Sequence, residues 1–110
     1  MALGLIEVFG FTTAIIVGDA VAKAADVKIV ALDKNKPAAG DAAEVPLLMT
    51  VKFEGEVSAV EASMRAGVAE AQSRGLLSTW RIISRQAEDT EKMAKLNALG
   101  KDKLHQITTY

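Results

Sequence analysis

The chain contains no cysteine. That excludes a disulfide framework, a thiolate nucleophile and any iron-sulfur or zinc centre held by cysteine, and leaves the redox compartment open. Histidine is almost as scarce. His105 stands alone in a polar C-terminal stretch with no nucleophile or carboxylate at a suggestive spacing, so it reads as a bystander and an enzymatic reading lacks its base. Aromatic residues make up 5% of the chain and the formal net charge is −1. RNA-recognition sheets stack bases on strand aromatics within a basic surface, whereas the third strand here offers only Phe53, at a position read as core, and the charge total shows no basic excess. No run approaches the roughly 18 apolar residues that cross a bilayer. The apolar N-terminal stretch already carries Glu7 and has no basic flank, so a secretory signal is not expected either, and a cytoplasmic protein is. Nucleic acid and membrane are both unexpected as partners.

What is present is an ordinary globular composition, 50% hydrophobic and 25% charged over 110 residues, which suits one domain with one core. Residues 1–99 are expected to form it, and 100–110 a polar, mobile tail. Proline occurs only at 37 and 46; Pro37 and Gly40 fall in the segment Lys34 to Val45 and Pro46 directly follows it, and the segment is too long for a hairpin turn of roughly 2 to 5 residues. This segment is the place to look for specificity.

Around it the hydrophobic pattern is legible. Leu3 to Phe9 reads as a short strand, and Thr12 or Thr13 can cap a helix over Ala14 to Ala25 with Ile16, Ala20 and Ala24 on its stripe and Val17 and Val21 beside them. Asp19 and Lys23 lie four apart on another face, at ion-pair spacing. Val27 to Leu32 is a second strand, with Ile29 on one face and Val30 and Leu32 on the other. In the third, Leu47, Met49, Val51 and Phe53 alternate with Leu48, Thr50, Lys52 and Glu54. After Gly55, the positions Val57, Val60, Met64, Val68 and Ala71 recur at helical spacing up to a stop at Gly75. Leu77 to Ile83 is a fourth strand, in which Trp80 is read as packing rather than as a ligand platform. Asp89 or Thr90 can cap a last helix through Leu99. The order predicts an α+β, ferredoxin-like βαββαβ sandwich with an added C-terminal helix. Apolar residues on both faces of several strands predict that partner subunits or the last helix cover the second face of the sheet.

That fold hosts many functions. A phosphate-gathering turn after the first strand would need cationic groups, and Gly10-Phe11-Thr12-Thr13 has no arginine.

Several segments together resemble the hexamer-forming shell proteins of bacterial microcompartments. Ala2-Leu3-Gly4-Leu5-Ile6-Glu7 is similar to that family's opening strand, Asp19-Ala20-Val21-Ala22-Lys23-Ala24-Ala25 to its first-helix motif, and Glu54 to Ala62 with Ala66 to Ala71 to its second-helix signature. Ile82-Ile83-Ser84-Arg85-Gln86 stands where the family carries an Ile-Pro-Arg-Pro segment, and the resemblance runs from Ala2 to about Glu91 in unpermuted order. It implies a homohexamer that tiles with neighbouring hexamers and other shell proteins into a sheet around encapsulated enzymes, with a central pore for small metabolites. No catalysis, cofactor or metal is implied.

By the same resemblance Lys23 and Arg85 match the residues through which neighbouring hexamers meet. Asp26, Ser84 and Gln86 depart from the family's choices there. The stretch after Lys34 replaces a short glycine-rich pore loop, which makes Lys34, Asn35, Lys36, Asp41 and Glu44 the pore candidates, since cyclic symmetry repeats each charge around the axis. A PII-type nucleotide-binding signalling trimer also carries a long loop between its second and third strands. Against it, no glycine-and-basic cluster suited to phosphates is found. A plain oligomeric scaffold without an open pore is the third reading.

Overall fold

The computed structural model describes residues 1–35 and 47–85, so the expectations for Lys36, Asp41 and Glu44, for a last helix and for the tail with His105 lie outside the described residues. Six elements follow in order: β1 (Ala2–Phe9), α1 (Phe11–Ala24), β2 (Lys28–Asn35), β3 (Leu48–Gly55), α2 (Val57–Ser73) and β4 (Leu77–Ile83). The strands form one antiparallel sheet in the order β2-β3-β1-β4. This is the predicted βαββαβ arrangement.

One face of the sheet carries both helices. Because side chains alternate along a strand, the register that pairs Ile6 with Val51 and Gly4 with Phe53 puts Ala2, Gly4, Ile6 and Val8 on the same side as Met49, Val51 and Phe53. There they meet Val17 and Val21 of α1 and Val60, Met64 and Ala71 of α2 in a single buried cluster. Phe53 is fully buried, and its ring lies where a side chain at Gly4 would be, with ring carbons 2.4 to 2.9 Å from a Cβ built there.

The helices begin and pack differently from expectation. No threonine caps α1: the helix starts at Phe11, its N-cap is Gly10 at φ 94°, and Thr13 is buried inside the first turn. That backbone angle suits glycine, and Ala14 N–H already donates to Gly10 O at 3.2 Å, so the turn closes upstream of either threonine. The buried stripe of α1 is Thr13, Ala14, Val17, Gly18 and Val21, while Ala24 is exposed. The helix is thus rotated from the predicted Ile16-Ala20-Ala24 stripe because α2 comes close on the valine side. Gly67 permits it: a Cβ there would sit 2.5 Å from Ile6 Cδ1 and 2.7 Å from Val21 Cγ2. Ser63 of α2 donates its hydroxyl to Val21 O at 2.9 Å, satisfying one of the last-turn carbonyls that α1 cannot bond itself. The predicted stop after α2 is present, with Arg74 as C-cap and Gly75 at φ 67°.

Both edge strands contain a register shift. In β2 the pairing runs Ile29 to Phe53, then Ala31 to Lys52 and Leu32 to Val51, leaving Val30 as an extra residue. Ile29 and Leu32 therefore both pack toward the helices, not on opposite faces as simple alternation predicts. In β4 Thr79 pairs with Glu7 but Leu77 with Val8, so Ser78 is the extra residue. β2 also runs three residues beyond its predicted end at Leu32, and Lys34 and Asn35 belong to the strand, opposite Met49 and Leu48, rather than to the loop.

Candidate functional site

The residues singled out by the sequence fall at two ends of the sheet. Lys34 and Asn35 are the last residues of β2, at the end where β3 begins with Leu48. Lys34 is exposed there. Lys23, Asp26 and Arg85 are at the other end: Lys23 in the last turn of α1, Asp26 just before β2, and Arg85 two residues beyond β4. From Lys28 to Asn35 the strand covers roughly 23 Å at about 3.3 Å per residue. The two candidate groups are separated by the length of the sheet.

Within the second group the residues do not converge. Asp26 leads into β2 and Arg85 leaves β4, the two outer strands of the order β2-β3-β1-β4, so three strand spacings, roughly 14 Å, lie between them. All three side chains are exposed. Lys23 donates to Asp19 Oδ2 at 2.8 Å, with side chains 74% and 59% exposed. That hydrogen bond, and then the charge of Asp19, raises the lysine above its ordinary pKa, so its ammonium is held charged and in one direction. Exposed pairs of this kind add little to folding.

The second face of the sheet carries charge that sequence reasoning missed. Thr50, Glu7 and Thr79 pair in one row across β3, β1 and β4, and Lys52, Leu5 and Arg81 in the next. The extra residue in β2 turns Asp33 onto this same face, opposite Thr50, where its carboxylate forms an ion pair with Lys52. Both are buried, at 0% and 5% side-chain exposure. At the β4 side Glu7 Oε1 accepts from the Ser78 hydroxyl at 2.9 Å. Leu3 and Leu48 are buried on this face too, so it mixes apolar and charged groups. Trp80, read as packing, is half exposed on the edge strand.

Among the described residues no group of three or more His, Cys, Asp or Glu side chains is placed to hold a metal, and no helix is long and apolar enough to cross a membrane. The features that stand out are therefore surfaces: two ends of a sheet and its polar second face.

Comparison with known proteins bears on what those surfaces do. The model of the BMC domain matches residues 2–86, a stretch that includes all six elements. The bacterial microcompartment shell protein PduA of Citrobacter freundii is 37% identical over 92 residues, covering 84% of this chain and 89% of that protein. EutM, a bacterial microcompartment shell protein of Escherichia coli strain K12, is 35% identical over 99 residues, covering 90% and 93%. Among solved structures, a microcompartments protein from Desulfitobacterium hafniense DCB superposes with a TM-score of 0.69 at 30% identity. That alignment covers 83% of this chain and 47% of the other, so the chain spans about half its length.

Proposed function

We infer that this chain, which belongs to the BMC domain family, is a structural subunit of a bacterial microcompartment shell and closes into a ring of six copies that tiles edge to edge. The role is architectural, not catalytic. The observation that carries this reading is the family match across every element, and the PII-type alternative draws no support from these relatives.

The placement of the candidate residues supports the finer proposal. A ring needs one end of each subunit at its axis and the other at its rim, and the pore candidates Lys34 and Asn35 lie at the opposite end of the sheet from Lys23, Asp26 and Arg85. We assign the first end to the pore, together with Lys36, Asp41 and Glu44 of the connecting segment, and the second to contacts with neighbouring hexamers and other shell proteins. Small metabolites would pass the pore to encapsulated enzymes.

Sedimentation at low micromolar concentration is expected to give a hexamer. A stable monomer or trimer would overturn the ring of six. Lys23→Ala and Arg85→Ala are each expected to leave the hexamer and its thermal stability intact while abolishing extended sheets in electron micrographs, because both side chains are exposed and make no buried contact. Sheets formed as well as by the parent would remove these residues from the rim.

The connecting segment tests the pore end. Replacing residues 36–46 with a short glycine-containing turn is expected to preserve folding, since loop-closure entropy changes by only about 0.6 kcal/mol per doubling of length. Passage of charged metabolites through assembled shells should change in this variant, and Lys36→Glu should shift preference from anions toward cations. Permeation equal to the parent's in both variants would place the segment away from the axis.

A further inference from the structure

The second face of the sheet holds a half-open depression of about 370 Å³ at its β4 side, lined by Leu5, Glu7, Thr50, Thr79, Trp80 and Arg81. Its volume falls at the lower end of small-molecule sites, roughly 300 to 1,000 Å³. Its walls are built from three strands in fixed register. Glu7 is flanked directly by Thr50 on β3 and Thr79 on β1's other neighbour β4, and Arg81 stands diagonally across from it, about 7 to 8 Å away by the geometry of antiparallel pairs. Leu5, paired with Arg81, gives the floor an apolar patch.

The groups are positioned but not used up. The extra residue at Ser78 lets its hydroxyl donate to Glu7 Oε1, which fixes the carboxyl group in the wall. Arg81 forms no ion pair among the described residues, although a carboxylate lies one diagonal away. An anchored anion, a guanidinium on the adjacent row and two flanking hydroxyls face one small volume. A ligand that satisfies all of them carries a carboxylate for Arg81 and, a few bonds along, a hydroxyl or ammonium donor for Glu7.

We propose that this depression binds short-chain organic acids bearing a hydroxyl or ammonium group at the far end, as a site separate from the pore candidates. The threonine hydroxyls complete the polar contacts, and the guanidinium's planar fork selects a carboxylate over a neutral polyol.

Titration of the assembled, full-length protein with 3-hydroxypropanoate and with β-alanine, read by calorimetry and by the methyl resonances of Thr50 and Thr79, tests this. Both acids are expected to saturate with dissociation constants on the order of 1 mM, within what so few non-hydrogen atoms supply. Propanoate, which lacks the second donor, should bind about tenfold or more weakly. Arg81→Met should abolish binding of both acids. Glu7→Gln should weaken β-alanine by about tenfold while sparing 3-hydroxypropanoate, because the amide oxygen still accepts from a hydroxyl but no longer pairs with an ammonium. Each variant is scored only where its remaining methyl spectrum matches the parent's. Absence of saturable shifts at Thr50 and Thr79, equal binding of propanoate, or unchanged binding in Arg81→Met would overturn the proposal. Thr50 and Thr79 methyls shielded from a soluble paramagnetic probe and silent to both acids would overturn it in favour of a contact between copies.

Discussion

Lys52→Met is expected to cost about 3 kcal/mol or more of unfolding free energy, read as a lowered urea midpoint at unchanged slope. The reason is the pair it breaks. Asp33 is fully buried on the second face of the sheet and Lys52 nearly so, and removing the ammonium takes the Lys52 charge away from a buried carboxylate. Exposed pairs rarely exceed about 1 kcal/mol, so the size of the effect distinguishes this pair from Asp19 and Lys23. The double variant Asp33→Leu/Lys52→Met should recover most of the loss, because burying two apolar side chains avoids desolvating two charges. A single variant as stable as the parent to within about 0.5 kcal/mol would show that water reaches the pair.

Phe53→Ala should be at least as severe, at about 3 to 5 kcal/mol. Phe53 is fully buried at the centre of the core, with Gly4 directly across the strand pair and Ile29 on its other side. Its ring occupies the space that the missing side chain of Gly4 leaves, so the two positions are coupled. Gly4→Ala alone should cost about 1 to 3 kcal/mol, since the ring must shift in a packed interior. In the Phe53→Ala background the same change should be neutral or favourable, as the new methyl enters the vacated volume. Additive losses in that double-mutant cycle would mean that the ring and the glycine do not share space.

How much of this was legible varies from element to element. Elements marked by long periodic runs and by breakers were read correctly, and so was the core side of β3, where alternation through Met49, Val51 and Phe53 is unbroken. What failed did so where one residue is inserted. Val30 reverses the phase of β2 after Ile29, so Leu32 turns inward and Asp33 outward onto Lys52, and no local pattern marks the spot. The α1 stripe failed for a different reason, since Ile16 and Val17 fit helical periodicity equally well and the choice was made by Gly67 on another helix. At the candidate sites, the resemblance singled out Lys23 and Arg85, but only strand pairing brings the chain that follows α1 into β2 and the chain that leaves β4 to opposite edges of one end. The depression beside Glu7 was invisible because its walls come from residues up to 76 positions apart in the chain, Leu5 and Arg81, brought together by pairing.

The sheet order also sets a timetable for synthesis. β1 is made first yet lies inside the sheet, and its neighbours are β3 and β4, whose last residues are Gly55 and Ile83. Pairing Leu3 with Ile83 closes nearly the whole described chain, a contact of the long-range kind that slows folding. At roughly 5 to 20 residues per second, β1 waits several seconds on the ribosome before its second edge can be covered. Ile82, Ile83 and the exposed Arg85 arrive in that same final step. If Lys23 and Arg85 form the proposed rim, a nascent subunit has none complete to offer its neighbours, and lattice growth would draw only on chains already released and closed.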